Sequence, residues 1–162
     1  MSNNIFEQMT NQLRETVDSA LNLALFNKNQ EVEIVHLLWA MLTNTNSVLN
    51  QVLNKMNVNK AAIELEAKSR AEKLPSVSSV TKENIKISRN LYDSFQKAAG
   101  QMASLGDSFI AIDSWLIANF ENLAIKEILE KYIDLKEAKK ELEALRAGKK
   151  IDNQSADDNL EA

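Results

Sequence analysis

Gly106-Asp107-Ser108-Phe109-Ile110-Ala111-Ile112-Asp113-Ser114-Trp115-Leu116-Ile117-Ala118-Asn119-Phe120 joins a short extended run to an amphipathic helix. Ile112, Trp115, Leu116 and Phe120 fall at i, i+3, i+4 and i+8, one face of a helix. An earlier stretch has the same form: Glu31-Val32-Glu33 precedes Ile34, Leu37, Leu38, Met41 and Leu42. Ile34, Leu37, Leu38 and Leu42 each stand 78 positions before Ile112, Trp115, Leu116 and Phe120. The chain therefore reads as one supersecondary unit used twice.

Working outward, the spacing predicts a first helix over about 6–25, carrying Phe6, Met9, Leu13, Val17, Ala20, Leu21 and Ala24 inward. Leu91, Phe95, Ala98, Ala99 and Met102 lie 78 beyond Leu13, Val17, Ala20, Leu21 and Ala24, so the repeat includes this long helix. Val48 to Met56 and Ala62 to Lys73 read as two more helices. Their counterparts follow Phe120: first Ile125, Ile128, Leu129 and Tyr132, then Lys136 to Ala147, with Leu142-Glu143-Ala144 standing 77 beyond Leu65-Glu66-Ala67. Leu74-Pro75-Ser76-Val77-Ser78-Ser79-Val80 marks the boundary, since proline disfavours helix in the residue before it. Thr81 is placed to cap the next helix, with Val80 and Ile85 at the spacing of a hydrophobic staple. The expected fold is all-α, about eight helices in pseudo-twofold halves of about 6–73 and 81–147, within a domain over 1–147. The polar, acidic stretch 148–162 reads as a linker or disordered terminus.

Composition removes several function classes. The chain has 162 residues, net charge −4 and no cysteine, which argues against a nucleic-acid face, a disulfide framework and a sulfur-based zinc site. No apolar run approaches the roughly 18 residues of a membrane span, and Met1 to Gln12 lack the apolar core of a signal peptide. The expected setting is cytoplasmic, without membrane. Gly148-Lys149-Lys150 lacks the glycines and hydroxyl of a phosphate loop, and 152–158 lacks the glycine turn of a calcium loop. No cofactor, metal or catalytic residue is expected.

Individual side chains have plain structural readings. His36, the sole histidine, reads as a hydrogen-bonded residue near a helix end, and Trp39 and Trp115 read as packing residues. Asp107 and Asp113 lie six positions apart with no nucleophile or metal partner nearby in sequence. They either fix a loop and a first helical turn, the latter contributing a few tenths to about 1 kcal/mol, or border a peptide-binding groove. A small hydrolase built on the two carboxylates is the third reading.

These stretches resemble a known family. Val35-His36-Leu37-Leu38-Trp39-Ala40-Met41-Leu42 is similar to the "HLLxALL" signature of the Clp N-terminal repeat, and Gly106-Asp107-Ser108-Phe109-Ile110 resembles its second-repeat "GDxFI" partner. The family is the Hsp100/Clp AAA+ unfoldases. "GDxFI" and the stretch from Arg146 to Asp158 resemble its ClpB-like disaggregase branch. The resemblance implies a duplicated four-helix domain that engages unfolded or aggregated clients for hand-over to an ATPase ring, hexameric in the family, beyond this domain. By motif position it implies client-binding roles for Thr10, Asp107 and Asp113, and an apolar groove involving Leu91 and Phe95. Asp113 stands where the family usually has Glu, and Ser114 and Lys97 replace apolar groove residues. An adaptor-docking domain of a ClpA- or ClpC-like unfoldase and a helical oligomeric scaffold are the alternative readings.

Overall fold

A computed structural model describes residues 4–160. Eight α-helices account for most of the described residues: α1 (Asn11–Phe26), α2 (Ile34–Thr43), α3 (Val48–Lys55), α4 (Lys60–Glu72), α5 (Arg89–Met102), α6 (Ile112–Asn119), α7 (Leu123–Leu129) and α8 (Leu135–Arg146). Short 3₁₀ turns cover Ile5–Gln8, Ala103–Leu105 and Ala156–Leu160, and two-residue strands β1 (Glu31–Val32) and β2 (Lys86–Ile87) pair in parallel. No described helix is long and apolar enough to cross a membrane.

The duplication is written in the backbone. Thr10 caps α1, its hydroxyl accepting from Leu13 N at 3.2 Å, and Ser88, 78 positions on, caps α5 by accepting from Leu91 N at 3.0 Å. Thr10 N donates to Ile110 O at 2.9 Å, and Ser88 N donates to Val32 O at 3.0 Å. These are one bond made twice, because Val32 and Ile110 are also 78 apart. Each repeat thus lays its extended run beside the start of the other's long helix, Met9 against Ile110 and Ile87 against Val32. Helix contacts are reciprocal too: α2 and α4 meet α7, while α6 and α8 meet α3. The halves share one core, which includes Leu13, Leu37, Leu38, Leu53, Leu91, Phe95, Trp115 and Leu129. Both tryptophans are buried in it.

Three expectations need correction. The first helix does not run from Phe6, because the chain is extended at Met9 and Thr10 before α1 starts. Thr81 caps no helix: it exchanges hydrogen bonds with Asn84 in a turn, and α5 begins only after Ser88. A turn gives the same local sequence signal as a first helical turn, and the β1 pairing takes the next residues. The register of the fourth helix is also different. Its caps Asn59 and Asp134 stand 75 apart, so buried Ile63, Ala67 and Ala71 correspond to Ala138, Leu142 and Arg146. Leu65, which the Leu-Glu-Ala pattern pairs with Leu142, is 65% exposed.

His36 ties three segments together. Its Nδ1 accepts from Glu33 N at 2.8 Å, so Nε2 carries the proton and donates to Asn29 Oδ1 at 2.8 Å. The Asn29 amide donates in turn to the carbonyls of Leu74 and Pro75, anchoring the serine-rich connector. In the second repeat Ser114 fills the same place, its Oγ accepting from Ala111 N at 3.0 Å.

Burial lowers the His36 pKa to about 4. The unfolded chain, with an ordinary histidine near 6.5, takes up its proton first as pH falls, so stability declines from about pH 6.5 to pH 4. The difference in unfolding free energy between the wild type and His36→Ser should shrink by about 3 kcal/mol across that window. Carboxylates common to both chains cancel in the difference, and a pH-independent difference contradicts the assignment.

Phe95 is fully buried, edge-on to Phe6 at 6.1 Å and tilted on Trp115 at 6.3 Å. Phe95→Ala should lower the unfolding free energy by about 3–5 kcal/mol in urea titrations. A loss below about 1 kcal/mol contradicts this packing.

Candidate functional site: a groove beside a buried ion clamp

Asp107 and Asp113 converge on one residue that sequence reasoning did not single out. Arg146, in the last turn of α8, donates through Nε and Nη2 to the two oxygens of Asp113, at 2.9 and 2.8 Å. Its Nη1 donates to both oxygens of Asp107, at 2.9 and 3.0 Å, and to Lys149 O at 3.2 Å. The side chains are nearly dry, with 10% of Arg146, 5% of Asp113 and none of Asp107 exposed. Burial works against the guanidinium charge, but Asp113 and then Asp107 outweigh it and raise its proton affinity. Asp113 is thus more than a dipole contact. Its loss leaves Nε and Nη2 of a buried guanidinium without acceptors while Nη1 keeps Asp107, a penalty of up to about 3 kcal/mol. The clue was an arginine four residues after Leu142 and eight after Ala138, on the apolar face of α8.

Each partner is positioned by its own segment. Gly106 takes φ 74°, where an L side chain is strained, and turns the chain so that Asp107 N donates to Met102 O at 3.0 Å. Asp113 sits in the first turn of α6 and also accepts from Ser114 N at 2.7 Å. Both carboxylates are engaged as acceptors on both oxygens, an arrangement that holds the Arg146 guanidinium in place.

Thr10 lies fully buried at the α1 cap, facing Asp157. Neither Asp157 oxygen meets a hydrogen-bond donor at good geometry. Burial pushes its carboxyl up to about 6, with Asp158 and Asp113 adding to the rise and Thr10 opposing it. Asp157 belongs to the stretch expected to be a linker or disordered. Its described part instead folds back, reversing through Ala147 and Gly148 at φ 53° and 77° and burying Ile151. Isolated apolar residues in a polar tract give little warning of this.

Thr10, Asp107 and Asp113 therefore gather around Arg146 and the returning tail. Leu91 and Phe95 do not line an open groove: both are fully buried, because the inward faces of α1 and α5 form the shared core. The open groove lies to one side, between α5, α6 and α8, with a volume of about 400 Å³. Ala98, Leu105 and Ile117 supply its apolar wall, Asp113 and Arg146 its base, and Lys139, Glu143 and Lys149 its rim. Leu105 is 44% exposed. Ser114 lines the groove, but its hydroxyl is committed to the Ala111 cap, while Lys97 points to solvent on α5.

A second open channel, of about 820 Å³, runs between α2, α4 and α7. Its charges neutralise one another: Glu66 accepts from Lys131 at 2.8 Å, Arg70 at 2.9 Å and Tyr132 at 3.2 Å. Lys131, then Arg70, hold the Glu66 carboxylate down to about 2. None of the sequence-derived site residues lines this channel. The described residues contain no cluster of three potential metal-ligating side chains.

Comparison with known proteins gives concordant results. The chaperone protein ClpB of Wolinella succinogenes is 53% identical over 159 residues, which cover 98% of this chain and 19% of that protein. The chain thus spans about a fifth of the length of this relative. The N-terminal domain of Hsp104 from Candida albicans superposes with a TM-score of 0.82 at 23% identity, over 93% of this chain and 99% of that one. A ClpV N-domain solved in complex with a VipB peptide has a TM-score of 0.69 at 17% identity, over 89% of this chain and 90% of that one. The Clp repeat (R) N-terminal domain model matches residues 8–132, most of the chain, and the protein therefore belongs to the Clp repeat N-terminal domain family.

Proposed function

We propose that the chain is the client-binding N-terminal domain of a ClpB-like disaggregase, which takes short extended segments of unfolded or aggregated polypeptides into the groove between α5, α6 and α8. The groove itself carries the reading: an apolar wall of Ala98, Leu105 and Ile117 beside alternating charges. Extended clients present mixed apolar and charged side chains, and a shallow groove holds them weakly, with little sequence preference. Weak holding suits delivery to a motor, because a fast off-rate permits hand-over. The strong similarity to ClpB supports this reading, as does the peptide bound by the ClpV N-domain. The chain itself carries out no chemistry in this account. ATP hydrolysis belongs to a hexameric ring in the parent protein, acting in the cytoplasm. Thr10 and Asp107 act at the covered end of the same surface, and Asp113 supports the groove through Arg146.

Leu105→Glu tests the groove, since Leu105 is half exposed and its replacement should change stability by less than about 1 kcal/mol. Affinity for a fluorescent, extended peptide of alternating apolar and basic residues should fall about tenfold, measured by anisotropy. Unchanged affinity in the folded variant contradicts the proposal. Size-exclusion with light scattering on the same samples tests the scaffold alternative, which requires a stable oligomer of the isolated chain.

A further inference from the structure

The returning tail lies at the end of the groove just assigned to clients, over Thr10 and Asp107. Ser108 N donates to Ile151 O at 2.7 Å, and Asn11 N donates to Gln154 O at 2.8 Å. Ile151 N donates to Asp107 Oδ1 at 2.9 Å, so the tail shares this carboxylate with Arg146. Asn11 bonds Ser155 at 3.2 Å, and Gln12 bonds Asp158 at 3.1 Å. The Lys150 side chain crosses the space that a Cβ on Gly106 would fill, so this glycine permits both the turn and the tail's approach. Ile151 is 1% exposed and covers the loop after Gly106, while Lys149 reaches the rim of the groove.

One group opposes this docking. Asp157 is 2% exposed, and neither of its oxygens makes a well-formed hydrogen bond. The groups facing it are the Thr10 hydroxyl at the α1 cap, its own backbone amide, the Asp113 carboxylate on α6 and its neighbour Asp158. Arg146, the cation of this cluster, is already shared between Asp107 and Asp113. A buried carboxylate without a well-formed hydrogen bond or a cation favours states in which it returns to water. The tail is thus fastened by Ile151 and a run of backbone bonds, and loosened from within by Asp157.

We propose that residues 149–158 form a releasable strap that covers Thr10 and Asp107 and competes with client polypeptide for that surface, with the buried Asp157 carboxylate setting how readily it lifts. The proposal rests on the client-binding reading above. It also makes the strap a mechanical link: displacement of Ile151 frees a bond to Asp107 and a carbonyl from Ser108 at once. Whatever holds the tail away from the domain then opens the client surface.

Two full-chain variants move the strap in opposite directions. Ile151→Ser removes its apolar fastening, and Asp157→Asn removes the opposing charge with little change of shape. Amide exchange at Ser108 and Asn11, read by NMR without client, should quicken about tenfold in Ile151→Ser and slow in Asp157→Asn. Affinity for the extended peptide should rise about three- to tenfold in Ile151→Ser and fall by a similar factor in Asp157→Asn. Should Ile151→Ser fail to fold, Asp157→Asn alone decides: unchanged or tighter peptide binding there overturns the strap. Peptide affinity that responds to Leu105→Glu but to neither tail variant overturns the strap and leaves the groove standing. The reverse pattern overturns the groove and leaves the strap.

Discussion

The clamp of Asp107 and Asp113 on Arg146 determines how the second half of this domain is put together. It joins the last turn of α8 to the loop after Gly106 and to the first turn of α6, and its spare Nη1 bond fixes Lys149 O at the start of the tail. Desolvating three charges is costly, so the clamp is a poor source of net stability compared with an apolar contact of the same volume. What it supplies is position. A guanidinium offers donors in a fixed fork, and four carboxylate oxygens use nearly all of it. A sequence with the clamp broken leaves a charge in a dry site, so alternative packings of α8 are disfavoured more strongly than this one is favoured.

Duplication followed by divergence accounts for the groove. Ala71, the counterpart of Arg146, is buried in the first repeat, where α2 and α4 pack side by side. At the positions matching Asp113, Ser114 and Ile117 the first repeat has Val35, His36 and Trp39, all buried. Trp39 is buried, whereas the smaller Ile117 lines the groove. In the second repeat α6 and α8 stand apart, bridged by the ion clamp in place of an apolar seam. The second half, with the same backbone plan, exposes Leu105 beside Lys139, Glu143 and Lys149.

Much of this plan was legible in the sequence. The offset of 78 placed the long helices, the extended runs and the inward faces of α1, α2, α5 and α6, because apolar spacing reports burial directly. Legibility failed where long-range contacts overrule local pattern. Thr81 carries a cap signal that a turn satisfies equally well, and the pairing of Ile87 with Val32 moved the helix start to Arg89. Leu91 and Phe95 were correctly read as inward-facing, but periodicity cannot tell a core from a groove floor. The Arg146 clamp needed the true register of α8, which its cap Asp134 and buried Ala138 define better than the Leu-Glu-Ala match did. The docked tail was least legible, since its fastening is mostly backbone hydrogen bonds, which any sequence supplies.

The most direct measurement is a titration of the isotopically labelled full chain with the extended client peptide, followed residue by residue through backbone amide shifts. A client surface between α5, α6 and α8 predicts the largest shifts at Gln101, Leu105, Ser114 and Ile117, followed by Ser108 and Asn11 as the tail gives way. Shifts confined to Leu65, Arg70 and Lys131, along the channel between α2, α4 and α7, would contradict the account.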